Sequence, residues 1–335
     1  MDDGPLDMSG RFPNLSVTQR SLVRMDRKSA LGFVLLSAIL FGGSGVWGKA
    51  LFRTDLTPVQ VTGFRIIVAG LCVAIFASLR GAKSFHVTKP QFLFLAGFSV
   101  MFTLVQLSFF VAVALTSVAV ALTLQYTAPA FVVLWEKLRH GRRIGSVRLL
   151  SMVAALAGCA LIAQVGNAAY LNDNLAGILA GFACGLILAV YNVMGNEVPD
   201  RGISSGTAAF YSFGLSAVAW LVVLPVYAPD SGSLNAETIG QILLLGVAAT
   251  FVPFVLLIVG LRHVAAFEAT IMGMMDPVAG GLLAYAFLGE HLTPSQMIGM
   301  ALVLVAVITL SSMPSLSQRP LSQERKAAIL TSREQ

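Results

Sequence analysis

Charge is scarce in this sequence. Only 11% of its 335 residues are Asp, Glu, Lys or Arg, while 56% are hydrophobic, and the mean hydropathy is +0.81. A soluble domain carries roughly 25% charged residues, so this chain cannot cover a water-facing surface. Cysteine is also sparse. Cys72, Cys159 and Cys184 each lie inside an apolar stretch, and an odd, widely spaced set argues against a disulfide framework or a zinc site. The histidines, His86, His140, His263 and His291, are scattered over different loops. No HExxH, CxxC, GxSxG or P-loop pattern occurs. These absences point away from an enzyme, a metal and any cofactor. The net charge of +6 is not a nucleic-acid signature either, because most basic residues sit in short segments between apolar runs, where they orient a protein in a bilayer.

The chain is instead rich in long apolar runs. A helix needs roughly 20 apolar residues to cross a bilayer core, and ten runs qualify. They are Ala30 to Leu51, Pro58 to Leu79, Phe92 to Leu115, Ser117 to Leu134 and Leu149 to Val165, then Leu175 to Met194, Ala208 to Val226, Ile239 to Gly260, Ala265 to Leu288 and Ser295 to Met313. Long runs without alternation are helices, not barrel strands. The fourth follows the third almost without a loop, which predicts a tight helical hairpin. Residues 1–29 read as a polar tail, and Arg24, Arg27 and Lys28 precede a first span rather than a cleaved signal. With the N-terminus in the cytoplasm, all but three of the 22 Lys and Arg residues fall on the cytoplasmic side, the exceptions being Lys49, Arg53 and Arg65. That asymmetry places both termini in the cytoplasm, residues 314–335 forming a second tail.

The halves also resemble each other. Ala112 to Ala130 reads AVALTSVAVALTLQYTAPA, and Gly260 to Ala279 reads GLRHVAAFEATIMGMMDPVA, with Pro129 and Pro277 at equivalent late positions. Five spans per repeat is odd, so the second repeat is inverted. The loop after span four is basic (KLRHGRRIG) and its counterpart after span nine is not (GEHLTPS), as inversion requires. Inverted repeats rocking about a shared site give transporters alternating access.

Several stretches resemble the EamA-type permeases of the drug/metabolite transporter superfamily. These are FGGSGVWGKALF with Lys49, TPVQVTGFRIIVAGL with Arg65, the hairpin FFVAVALTSVAVALTLQYTAPAF, and MMDPVAGGLLAYAFLGEHLTPSQMIGMALVLVAVI. The last is the most specific, and the resemblance covers roughly residues 30–313. It departs in two places: the first repeat has RHGRR where Gly-Glu would stand, and Phe41 replaces a frequent tryptophan. The resemblance implies an all-α integral membrane protein, with ten transmembrane helices in two inverted five-helix repeats (30–166 and 174–313) around a central cavity. It also implies export or exchange of amino acids or related metabolites, in a bacterial inner membrane. A phosphorylated-sugar or nucleotide-sugar carrier is the alternative within the superfamily. It would call for more cavity cations than Lys49 and Arg65. A non-transporting membrane assembly protein is the other.

A charge at mid-bilayer costs at least roughly 2.5–3.5 kcal/mol, so the intramembrane charges are the candidate site. Arg65 lies about a third of the way into span two. It reads either as a solute or counter-ion contact, through two-pronged carboxylate bonding, or as half of a structural ion pair. Asp276 lies midway along span nine beside Pro277, which removes a backbone donor. It reads as cavity lining, as a carrier of a coupling proton, or as a permanent partner of Arg65 or Lys49. Glu268 reads as the inner mouth of a pathway or as a partner of Arg262. Lys49 reads as a solute contact or a snorkelling cation, and Glu290 as a residue that caps or orients a loop. Gln106, Gln125, Tyr126, Tyr191 and Asn192 complete the expected pathway, with Pro129 and Pro277 as kinks. The expected partners are a small-molecule solute, the lipid bilayer and possible coupling to protons.

Overall fold

The computed structural model describes residues 27–80, 85–140, 145–164, 166–229, 234–261, 272–273 and 275–312. Among them every regular element is helical. The helices are α1 (Arg27–Leu51), α2 (Pro58–Arg80), α3 (Lys89–Leu115), α4 (Val118–Gln125), α5 (Ala128–His140), α6 (Ser146–Ile162) and α7 (Ala168–Glu197). After them come α8 (Ser205–Val223), α9 (Ala236–Gly246), α10 (Val252–Leu261), α11 (Met275–Leu288) and α12 (Pro294–Ser311). Seven segments are long and apolar enough to cross a membrane, and Leu149–Ile162, Met275–Leu288 and Pro294–Leu310 are shorter apolar helices.

The scarce polar residues concentrate at helix starts. Three begin with the same Thr-x-x-Gln box. Thr57 N–H donates to Gln60 Oε1 at 2.7 Å while Gln60 N–H donates to Thr57 Oγ1, and Thr88/Gln91 and Thr293/Gln296 repeat the arrangement with a proline in the first turn. Ser117, Asn167, Ser204 and Asn235 cap four more. Each satisfies backbone N–H groups that have no partner inside the helix, and proline at the first turn needs no such donor.

Two predicted spans are not single helices. Span four breaks at Tyr126 and Thr127, between α4 and α5. The proline of that span, Pro129, stands in the first turn of α5, where it is tolerated. Thr127 Oγ1 takes the local role of satisfying a freed acceptor, donating to Leu124 O at 2.6 Å. Span eight is interrupted by a π-helical turn, Val247–Phe251, ahead of Pro253. The Thr250 hydroxyl donates to Leu245 O at 2.8 Å, and Ser37 on α1 donates to Pro253 O at 2.7 Å. Ser and Thr hydroxyls thus bond backbone carbonyls at both interruptions, a way of satisfying irregular backbone inside a membrane fold. The predicted hairpin of spans three and four turns within Thr116 and Ser117. The first part of span nine, with Glu268, lies outside the described residues.

The helices pack in pairs: α6 on α12, α3 on α7, α1 on α11, α2 on α8, and α1 on α10. Small residues set the closest approaches. At the α6–α12 crossing a Cβ on Gly158 would lie 2.6 Å from Gly299 O, and the converse holds for Gly299. Gly177, Gly181 and Gly185 recur at four-residue spacing along α7 and lie against the α3–α4 turn, Leu124 and the α4–α5 break. All three are on one helical face.

Candidate functional site

The bundle has two ends. At the end carrying the α1–α2, α3–α4 and α11–α12 turns, Lys49 forms a 2.6 Å ion pair with Glu290 and donates to Thr116 O. Glu290 Oε2 accepts from Val118 N–H, the first residue of α4, at 3.0 Å. One carboxylate thus neutralises the lysine and caps a helix N-terminus, where a negative charge is favourable. Lys49 and Glu290 thus link α1 to the start of α4 and to the α11–α12 turn. Glu290, read from sequence as a capping residue, closes this link.

Arg65 differs. Its side chain is 2% exposed, and its Nε and Nη1 are buried without a hydrogen-bond partner. It rests on an aromatic face: the guanidinium carbon lies 4.7 Å from the ring centre of Phe110 on α3. Phe110 is fixed in turn by Gly48 of α1, whose missing side chain makes room for the ring, and by an edge-on contact with Phe52. Gln106 is half-buried one turn before Phe110 and shares its helical face.

Asp276 is buried too. Its Oδ1 has no hydrogen-bond partner, while Oδ2 lies 3.3 Å from the Tyr126 hydroxyl. That hydroxyl donates to Gly273 O at 2.5 Å. Tyr126 stands at the α4–α5 break, so the carboxyl of α11 meets the interruption in span four. On its other side is α1. A Cβ on Gly42 would strike Asp276 O and lie 3.1 Å from Asp276 Oδ1 and 2.8 Å from Gly280 N. Pro277 is buried beside Asp276. Among the described residues no ion pair joins Asp276 to Arg65 or Lys49. Along α1, Asp276 packs at Gly42 and Phe110 at Gly48, six residues or about 9 Å of helical rise apart.

The remaining candidates are dispersed. Gln125 accepts from the Cys184 thiol at 3.5 Å, next to the break. Tyr191 belongs to an aromatic ladder, stacked on Phe98 at 4.3 Å with Phe102 beyond it at 6.0 Å. Asn192 is exposed on α7, away from the buried charges. Sequence reasoning missed Gly42, Gly48 and Phe110, whose types are too common in membrane helices to mark a site. It also missed the π turn of span eight, for which Pro253 was the available signal.

A profile of the EamA-like transporter family matches residues 28–164 and again residues 175–312. The chain belongs to that family. It is a membrane permease of the drug/metabolite transporter type. The uncharacterized inner membrane transporter YicL of Salmonella typhimurium is 30% identical over 85% of this chain and 95% of its own length. An uncharacterized transporter of Archaeoglobus fulgidus is 32% identical over 82% of this chain and 93% of its own. The threonine/homoserine exporter RhtA of Escherichia coli is 24% identical over 85% and 92%. A crystal structure of 20% identity, covering 88% of this chain and all of its own, superposes with a TM-score of 0.56, a likeness of fold.

Proposed function

We propose that this EamA-family protein is a secondary transporter of amino acids or closely related carboxylate-bearing solutes, working by alternating access in a bacterial inner membrane. The observation that carries the reading is Arg65. A guanidinium buried to 2% exposure with Nε and Nη1 unpartnered is costly unless a ligand completes it. The group that fits a guanidinium best is a carboxylate, through charge-assisted bonds. The naming of RhtA as a threonine/homoserine exporter agrees with that class.

In this reading the helices form two inverted five-helix repeats with both termini in the cytoplasm. Two successive family matches support it, and so does the pairing of helices. In order of spans, α3–α7 joins the third to the sixth, and α1–α10 joins the eighth to the first, an exchange that a two-fold relation between halves would produce. Exposed Lys137 and Arg139 lie at the end opposite Glu290, Asp55 and Glu237, which suits the cytoplasmic assignment.

Asp276 serves a different partner from Arg65. Asp276 meets α1 at Gly42, whereas the Phe110 ring beneath Arg65 meets it six residues on at Gly48, so we assign the two charges separate roles. The Tyr126 hydroxyl has one proton for two acceptors, Gly273 O and Asp276 Oδ2, so both contacts are bonded only when the carboxyl brings a proton of its own. This favours Asp276 as the group that carries a coupling proton, with the α4–α5 break as the element that senses it.

The test is efflux of radiolabelled threonine and related neutral amino acids from proteoliposomes, with and without an imposed proton gradient. The wild-type chain moves at least one of them, Arg65→Met abolishes the movement, and Asp276→Asn removes its dependence on the gradient. Normal gradient-driven flux by both variants, at equal amounts of folded protein, overturns the site.

A further inference from the structure

We propose that the outer face of α1 holds a structural phosphatidylethanolamine, separate from the solute pathway. A cavity of about 580 Å³ lies between α1, α9 and α11. Its wall is apolar, with Ile39, Gly43, Trp47, Leu283 and Phe287 along its length, and Arg53 and Gln241 among its lining. It opens sideways: Ile39 is 36% and Phe287 73% exposed, apolar side chains on apolar helices of the kind that lipid covers. The residues Ile39, Gly43, Trp47 and Ala50 recur at helical spacing on one face of α1. Gly42, Gly45 and Gly48 form the opposite face, against Asp276, Phe109 and Phe110. The groove thus lies on a different face of α1 from the glycines that meet Asp276 and Phe110.

Its size and lining suit an acyl chain, and its end suits a headgroup. Arg53 lies in the short 3-10 turn that ends α1, about six residues or 9 Å beyond Trp47. It is exposed and reaches only Leu288 O, at 3.5 Å. Gln241 donates to Glu237 Oε1 at 3.2 Å, one turn nearer the start of α9. The mouth therefore presents one cation and one carboxylate. Phosphate on Arg53 with ammonium on Glu237 satisfies both. An anionic glycerol headgroup would leave Glu237 facing a negative charge, and a choline headgroup offers no N–H donor.

Trp47 reports occupancy. The full chain is placed in phosphatidylcholine vesicles containing graded fractions of a lipid with brominated acyl chains, and tryptophan fluorescence is measured, with Trp47→Phe as the blank for the other two tryptophans. The Trp47 emission is expected to be half-quenched at about fivefold less brominated phosphatidylethanolamine than brominated phosphatidylcholine, the factor that about 1 kcal/mol of surface ion pairing gives. Glu237→Gln moves the ethanolamine curve onto the choline curve, and Glu237→Asp restores most of the difference, whereas Arg53→Gln weakens quenching by both lipids alike, because both carry the phosphate. Coincident curves in the wild type mean annular lipid only and overturn the proposal. So does stronger quenching by brominated phosphatidylglycerol, which would mean that phosphate charge alone is read.

Discussion

Replacing Arg65 with methionine separates the two readings that its burial allows. If the guanidinium is half of an internal ion pair, its removal strands a partner and destabilises the fold by roughly 3–5 kcal/mol. The structure predicts the opposite. Nε and Nη1 have no partner to strand, so the substitution removes an uncompensated charge whose mid-membrane cost is at least about 2.5–3.5 kcal/mol. Against that stands the lost contact with Phe110, 4.7 Å away, worth roughly 0.5–2 kcal/mol. Methionine keeps the apolar stem in place, so the balance is a gain of about 1–2 kcal/mol. In detergent, the unfolding midpoint should rise by about 2–5 °C. Transport should fail at the same time, because a charge-assisted bond worth about 1.5–3 kcal/mol is lost, a factor of roughly 10–100 in solute affinity. Thermal unfolding followed by tryptophan emission, paired with proteoliposome flux, reads both. A midpoint that falls by several degrees would refute the reasoning, because it would reveal a partner for Arg65 in the fold. Unchanged flux would refute the functional half alone.

Other substitutions probe the rest of the arrangement. Gly42→Ala puts a methyl against Asp276 O and Gly280 N, both backbone atoms; it should cost about 1–3 kcal/mol by forcing α1 from α11, read as a lowered unfolding midpoint. Gly240→Ala, inside α9 with nothing within 4 Å of the added carbon, should instead stabilise by about 0.5–1 kcal/mol. A double-mutant cycle of Lys49→Met and Glu290→Gln should give a coupling of about 1 kcal/mol for this partly buried pair, and a coupling near zero would show the pair to be open. Tyr126→Phe removes the donor to Gly273 O and Asp276 Oδ2; it should lower stability by about 1 kcal/mol and alter the gradient dependence of flux, whereas a variant indistinguishable from wild type in both would remove Tyr126 from the site.

Much of this protein was legible in its chain because lipid leaves few choices. A backbone in hydrocarbon must bond to itself, so long apolar runs fix helices. The Thr-x-x-Gln boxes at residues 57, 88 and 293 are likewise local, since each cap reaches only three residues onward. The resemblance that pointed to the EamA family rests on such short stretches. The charges Arg65 and Asp276 stand out in sequence for one physical reason, the cost of placing them in lipid.

Partnership was beyond the sequence, because it depends on which helix faces which. Lys49 and Arg65 are both cations in apolar segments, and composition cannot tell them apart. The packing of α1 against the α11–α12 turn gives Lys49 its carboxylate, 241 positions away, while α2 against α3 sets Arg65 over the Phe110 ring, with no ion pair among the described residues. Likewise Asn192 and Tyr191 are neighbours in sequence, but one is exposed and the other is stacked in an aromatic ladder, since successive residues of a helix point about 100° apart. The breaks in spans four and eight carry Thr127 and Thr250, whose hydroxyls bond the carbonyls of Leu124 and Leu245. The sequence by itself determined that this chain forms apolar helices and retains two charges at a cost. Only the tertiary structure decided which cation is neutralised and which is left open, because a charge in lipid is defined by its neighbours and those come from distant parts of the chain.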